Sequence, residues 1–185
     1  LNVYGRTKGD GEIALQGSGA RHLIFRTSWM VGTHGRNFAK TILGLALERE
    51  HLDVVANQYG APTSAALLAE VTAQSVRQAE REGHHFPFGL YHVVAGGETT
   101  WYEYARFVVS EALAAGRSLK LSPEAIRAIS SSEYSAAAKR PANSRLDTRK
   151  LRARFGLELP DWQNGVRYIL QQILTDGKLE VVSGK

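Results

Sequence analysis

Tyr4 and Lys8 stand four residues apart in the segment Tyr4-Gly5-Arg6-Thr7-Lys8. On a helix that spacing puts both side chains on one face, one turn apart. A phenol beside an ammonium is a sensible proton donor, because the positive charge stabilises the phenolate and brings proton transfer within reach of neutral pH. A pair of this kind needs a cofactor beside it, and only three residues precede Tyr4. Two readings follow. Either the spacing is an accident of an exposed helix, or the chain is expected to be the latter part of a longer enzyme, in keeping with a start at Leu1 rather than Met.

The pair must be carried by a helix, and residues near 3 to 16 read as one, ended by Gly17-Ser18-Gly19. The run from His22 to Thr27 holds Leu23, Ile24 and Phe25, as a short buried strand does. Asn37 is placed to cap a second helix that ends at Glu48-Arg49-Glu50, and Leu52 to Ala56 reads as a strand. The turn-rich stretch Gln58-Tyr59-Gly60-Ala61-Pro62-Thr63 leads to Ser64, the expected cap of a helix reaching about Glu82. After a linker from Gly83 to Gly89, Leu90 to Ala95 is expected as a third strand. Thr100 and Glu103 have the spacing of a capping box, opening an amphipathic segment that continues to Gly116. Ser122-Pro123-Glu124 starts like a helix; Asp147 to Phe155 and Asp161 to about Thr175 read as two more. Strands alternating with helices predict an α/β arrangement with parallel strands.

With 185 residues the chain can hold one sizeable core, or one domain and part of another. No apolar run nears the ~18 residues that cross a bilayer, so no membrane partner is expected. The absence of cysteine excludes disulfides and thiolate zinc sites, and is compatible with a reducing cytoplasm. The net charge of +5 is spread, with concentrations at Lys139-Arg140 and from Arg145 to Arg154. No nucleic-acid motif accompanies it, so no nucleic-acid partner is expected. A diphosphate-bearing small molecule needs only a few cations and fits the charge equally well.

Six phrases occur in order: Tyr4-Gly5-Arg6-Thr7-Lys8, Phe25-Arg26-Thr27-Ser28-Trp29, Arg36-Asn37-Phe38-Ala39-Lys40, Gln58-Tyr59-Gly60-Ala61-Pro62-Thr63, Leu90-Tyr91-His92 and Arg140-Pro141-Ala142-Asn143-Ser144-Arg145-Leu146. Together they resemble the dTDP-4-dehydrorhamnose reductases, extended short-chain dehydrogenase/reductases, over roughly residues 2 to 176. The resemblance implies the C-terminal portion of a Rossmann-like doubly wound parallel sheet plus a small α/β substrate-binding domain. Residues 1–35 would end the dinucleotide-binding domain and carry the catalytic helix. Residues 36–185 would be mainly the sugar-nucleotide-binding domain, interleaved with the last Rossmann strands and helices. The implied reaction is the NADPH- or NADH-dependent reduction of a dTDP-linked 4-keto sugar to dTDP-L-rhamnose, in the cytoplasm, by a protein that the resemblance allows to be a homodimer.

In that reading Tyr4 protonates the C4 oxygen as hydride arrives, and Lys8 holds the nicotinamide ribose and supports the phenolate. Thr27 and Ser28 follow a strand at its carboxyl end, where doubly wound sheets bind ligands, and would line the nicotinamide pocket. Trp29 would lie against the substrate. Gln58, Arg140 and Arg145 are candidates for the sugar or diphosphate, an arginine fork suiting phosphate oxygens. No metal ligands are assigned: some members hold magnesium through glutamates at a dimer contact, and that site is not carried over. The Gly-rich phosphate loop and the Ser/Thr that shares the substrate oxygen lie before the tyrosine in the family, so these 185 residues alone are expected to consume little NADPH. Asn57 stands where the family usually has Asp.

Blander roles stand beside these. Trp29 could be core, Arg26 could pair a carboxylate near the sheet edge, and Gln58 and Thr63 could only shape their turn. Of Arg140 and Arg145, one could satisfy carbonyls, and Asn143 could be a turn residue. His84-His85 read as a solvated loop. Trp101, Tyr102, Tyr104 and Phe107 have the spacing of a helix packing face, and Trp162 and Tyr168 are also expected in the core. Rival functions are another nucleotide-sugar reductase or epimerase, a non-catalytic regulatory relative, or a domain that only binds dTDP-sugar.

Overall fold

The computed structural model describes residues 3–134 and 140–175; Lys139 lies outside them. In chain order the elements are α1 (Val3–Gly17), β1 (Leu23–Arg26), β2 (Met30–Val31), α2 (Phe38–Glu48), β3 (Leu52–Val55), β4 (Tyr59–Gly60), β5 (Thr63–Ser64), α3 (Ala65–Glu82), β6 (Gly89–His92), β7 (Thr99–Thr100), α4 (Trp101–Ala114), β8 (Ile126–Ile129), α5 (Arg149–Phe155) and α6 (Trp162–Thr175).

Among the described residues the strands form four two-stranded ladders. β1 pairs with β6, β2 with β5 and β3 with β8, all parallel, while β4 and β7 run antiparallel. The expected α/β arrangement with parallel strands is therefore present, with one antiparallel exception at the turn-rich stretch. Among the described residues no helix is long and apolar enough to cross a membrane.

Capping fixes where the helices start. The Asn37 side chain accepts from Lys40 N, that of Ser64 from Leu67 N, and that of Thr100 from Glu103 N, at 3.1, 3.1 and 3.2 Å. α4 ends as such helices commonly do: Gly116 takes φ +77°, Gly116 N donates to Leu113 O and Arg117 N to Ala112 O. Only glycine enters that left-handed region without strain.

Two apolar clusters hold the elements. The larger joins Ile42 and Leu43 of α2, Val108 and Val109 of α4, and Val166 and Leu170 of α6 with Val54 of β3 and Ile126 of β8. Each such aliphatic side chain contributes about 1.5–3 kcal/mol on burial. The smaller gathers Val71 of α3, Tyr91 of β6, Val93 and Leu151 of α5, with Leu23 and Phe25 of β1 packed against it. Arg167 and Glu111 add a bidentate pair between α6 and α4, both contacts at 2.9 Å.

Two expectations need correction. Ser122-Pro123-Glu124 opens no helix. Pro123–Ala125 makes a single 3-10 turn that feeds β8, whose Arg127 lies opposite Asp53 and donates to its carboxylate at 2.8 and 2.7 Å. A partner strand more than 70 residues away, rather than local propensity, decides the conformation here. Tyr168, expected in the core, is half exposed, because α6 buries the Val166–Ile169–Leu170–Ile173 stripe and turns residue 168 to solvent.

Candidate active site

Tyr4 and Lys8 both lie on α1, and Lys8 Nζ sits 5.6 Å from the centroid of the Tyr4 ring. Tyr4 is exposed, and its helix buries no residue fully. What ties α1 to the strands is Glu12. Arg26 donates to it through Nε at 2.8 Å and Nη2 at 2.5 Å, so Arg26 has the structural, carboxylate-pairing role foreseen for it. The Arg26 hydrogen bonds hold the Glu12 carboxyl below its ordinary range. Tyr4, Lys8 and Glu12 fall at i, i+4 and i+8, one stripe of the helix. Docking Glu12 on the last residue of β1 thus aligns the stripe with the strand's carboxyl end, with Tyr4 about 12 Å up the axis.

Thr27, Ser28 and Trp29 follow that strand end directly. The hydroxyls of Thr27 and Ser28 are buried and, among the described residues, have no hydrogen-bond partner. An unsatisfied buried hydroxyl costs about 1–3 kcal/mol, so a polar ligand that bonded this pair would relieve that cost. Among the described residues no cluster of three or more His, Asp or Glu side chains could hold a metal ion.

Trp29 is the one described non-glycine residue with positive φ, +48°. Its carbonyl accepts from Thr63 N at 3.1 Å as β2 pairs with β5. A Cβ built on Gly60 would lie 2.6 Å from Trp29 Cε2 and 2.9 Å from both of that atom's neighbours Cδ2 and Cζ2, which is directly above the ring. The Gly60 backbone therefore covers one face of the indole. The other face meets Trp101, stacked with a centroid separation of 3.7 Å and an interplanar angle of 17°. Trp101 Nε1 donates to Gln58 Oε1 at 3.2 Å, Phe38 packs 4.6 Å away, and the Arg140 guanidinium lies 5.9 Å from the Trp101 ring.

The structure thus gathers Trp29, Gln58 and Arg140 round a residue read from sequence as helix packing, Trp101. Arg145 belongs to a neighbouring group. It donates to Glu98 Oε2 at 2.9 Å and to Asn143 Oδ1 at 3.0 Å, and lies 5.5 Å over the Tyr59 ring. Tyr59 N donates to Ala142 O and Ser144 N to Tyr59 O, so Arg145 clamps the 140–146 loop along β4. Among the described residues Arg140 has no carboxylate partner, and it is the better-placed cation for a phosphate. Thr63 is fully buried with its hydroxyl donating to Ala61 O and accepting from Ala95 N, a structural role. Tyr4 and Lys8 are linked to the Trp29 group through Glu12, Arg26 and the two residues that follow.

The family model described as the RmlD substrate binding domain matches residues 1–175. A dTDP-4-dehydrorhamnose reductase of Shigella flexneri is 51% identical over 175 residues, covering 95% of this chain and 57% of that protein. The solved dTDP-4-dehydrorhamnose reductase of Bacillus anthracis, in complex with NADP, aligns with a TM-score of 0.78 at 32% identity over 95% of this chain and 56% of its own. That of Clostridium acetobutylicum aligns at 0.80 and 26% identity, over 92% and 55%. The chain spans somewhat over half the length of these relatives, and shares their Rossmann-like α/β architecture. On the match across residues 1–175 and on these identities, the chain belongs to the RmlD substrate-binding-domain family.

Proposed function

We propose that the protein carrying this chain reduces dTDP-4-dehydro-L-rhamnose to dTDP-L-rhamnose with NADPH or NADH. The observation that carries the reading is the Tyr4–Lys8 pair, with Lys8 Nζ 5.6 Å from the ring, on the stripe that Glu12 docks at the end of β1. Identity of 51% to a protein bearing that enzyme's name supports the substrate, and the NADP complex of a solved relative supports the cofactor. The unpartnered Thr27 and Ser28 hydroxyls fit a polar ligand such as a carboxamide.

A reduced nicotinamide held here would supply hydride to the ketone carbon. Tyr4 gives its proton to the C4 oxygen, and the phenolate left behind is offset by the Lys8 ammonium until solvent returns a proton to the exposed ring. Lys8 also holds the ribose, while Thr27 and Ser28 line the nicotinamide side. Trp29 bounds the sugar, and Arg140 takes the diphosphate. In domain terms, residues 1–35 close the dinucleotide-binding part and 36–185 are mainly the sugar-nucleotide part. A cytoplasmic homodimer goes with this reading, the lack of cysteine fitting a reducing compartment. The test is NADPH oxidation by the complete protein against several nucleotide-linked 4-keto sugars. Reduction of another sugar in preference to the dTDP-linked one, or no oxidation at all, refutes it.

A further inference from the structure

We infer that Trp101 and Gln58 are positioning residues of the sugar pocket, forming a latch that fixes the indole of Trp29; this rests on the functional reading above. Trp29 occupies a backbone region that costs a non-glycine residue of order 1–3 kcal/mol unless its surroundings hold it there. The hydrogen bond from Thr63 N to the Trp29 carbonyl holds the backbone, and packing on both faces holds the ring. Gly60 closes one face of the ring, and Trp101 the other at 3.7 Å. Trp101 is itself aimed at one end by the hydrogen bond from its Nε1 to Gln58 Oε1, and backed by Phe38. Gln58 is only 8% exposed, and its carbonyl oxygen is engaged by Trp101. It therefore acts through Trp101 and Trp29 rather than on the sugar. The same ring carries Arg140, so one latch sets both the wall of the pocket and its cation.

A double-mutant cycle in the complete protein tests this, with Gln58→Met, Trp101→Phe and the double variant. Gln58→Met is close in shape and removes the acceptor of the hydrogen bond, while Trp101→Phe removes its donor and shrinks the ring stacked on Trp29. The expected result is an about three- to tenfold rise in KM for the sugar nucleotide in Gln58→Met, the scale of one neutral hydrogen bond, and at least as large a rise in Trp101→Phe. The double variant is expected to show no further rise, and KM for NADPH to stay unchanged. Multiplying effects would mean that Gln58 touches the sugar directly, which overturns the latch and leaves the functional reading standing. An unchanged sugar KM with a lowered melting temperature would reduce both residues to packing and overturn it equally. A wild-type protein that reduces no 4-keto sugar defeats the functional reading and the pocket role with it. The stack itself is then read separately, since two indoles at this distance couple their transitions into a far-ultraviolet circular-dichroism couplet that Trp101→Phe removes.

Discussion

Gly60→Ala measures how tightly the indole of Trp29 is held. The backbone at residue 60 is outside the left-handed region, so alanine meets no conformational penalty and the effect is steric. The new Cβ would stand 2.6 Å from Trp29 Cε2, nearly 1 Å inside the ~3.5 Å of a carbon–carbon contact. The ring cannot retreat, because Trp101 is stacked 3.7 Å behind it. Overpacking of this kind costs about 1–3 kcal/mol. A central value of about 2 kcal/mol lowers the melting temperature of a chain this size by about 4–8 °C. Denaturant unfolding of wild type, Gly60→Ala, Trp29→Ala and the double variant gives the magnitude and its origin. With the indole removed, Gly60→Ala is expected to be neutral or to stabilise by up to about 1 kcal/mol. A Gly60→Ala protein as stable as wild type would refute the reasoning. So would a loss that persists without Trp29.

Tyr4→Phe is expected to lower kcat about 10²- to 10⁴-fold with little change in the sugar KM, measured by NADPH oxidation in the complete protein; an active Tyr4→Phe variant assigns proton delivery elsewhere. Tyr104→Phe should stabilise the fold by about 1 kcal/mol in denaturant titration. Its hydroxyl is buried without a partner among the described residues, and burial pushes its ionisation well above that of a free phenol. A marked loss of stability would show that the hydroxyl is bonded. For this 185-residue chain, α1 should loosen in acid. The Arg26 hydrogen bonds hold Glu12 below the ordinary carboxylate range, so the pair stabilises the docked helix above about pH 4.3 and is lost as pH falls through the lower folded value. Hydrogen exchange of α1 amides between pH 3 and 6 should show that step in wild type and not in Glu12→Gln, and an identical profile in both would count against it.

Helix starts were legible because each rests on a local hydrogen bond: Asn37, Ser64 and Thr100 cap the helices that their types and spacing announce. β8 was not legible, since Ile126–Ile129 becomes a strand only by lying along β3. The two-residue strands at 30–31, 59–60, 63–64 and 99–100 were equally hidden, being set by tertiary approach rather than by any run of residues. Tyr4 and Lys8 stood out by type and spacing, and Trp29 only through the family resemblance of its phrase. Trp101 did not, because an aromatic at the start of an amphipathic helix looks like packing and here is packing, against Trp29 as well as Phe38. Gly60 carried the one signal available, a glycine inside a turn-rich phrase. Asn57, a departure from the family's usual Asp, donates to Ser130 Oγ and accepts from Ser131 N. An aspartate at that position would supply only the acceptor.

An indole hemmed in above and below has no plane left to offer a sugar. Under the proposed function, a sugar at Trp29 would be met rim-on, at the edge of the ring. Rim contact of this sort favours an oxygen at a fixed point over a greasy ring surface, and a site built to bond a hydroxyl rejects the sugar lacking it far more sharply than one that merely fits. Selectivity at this wall would then follow the hydroxyl pattern of the hexose, with little regard to its methyl group.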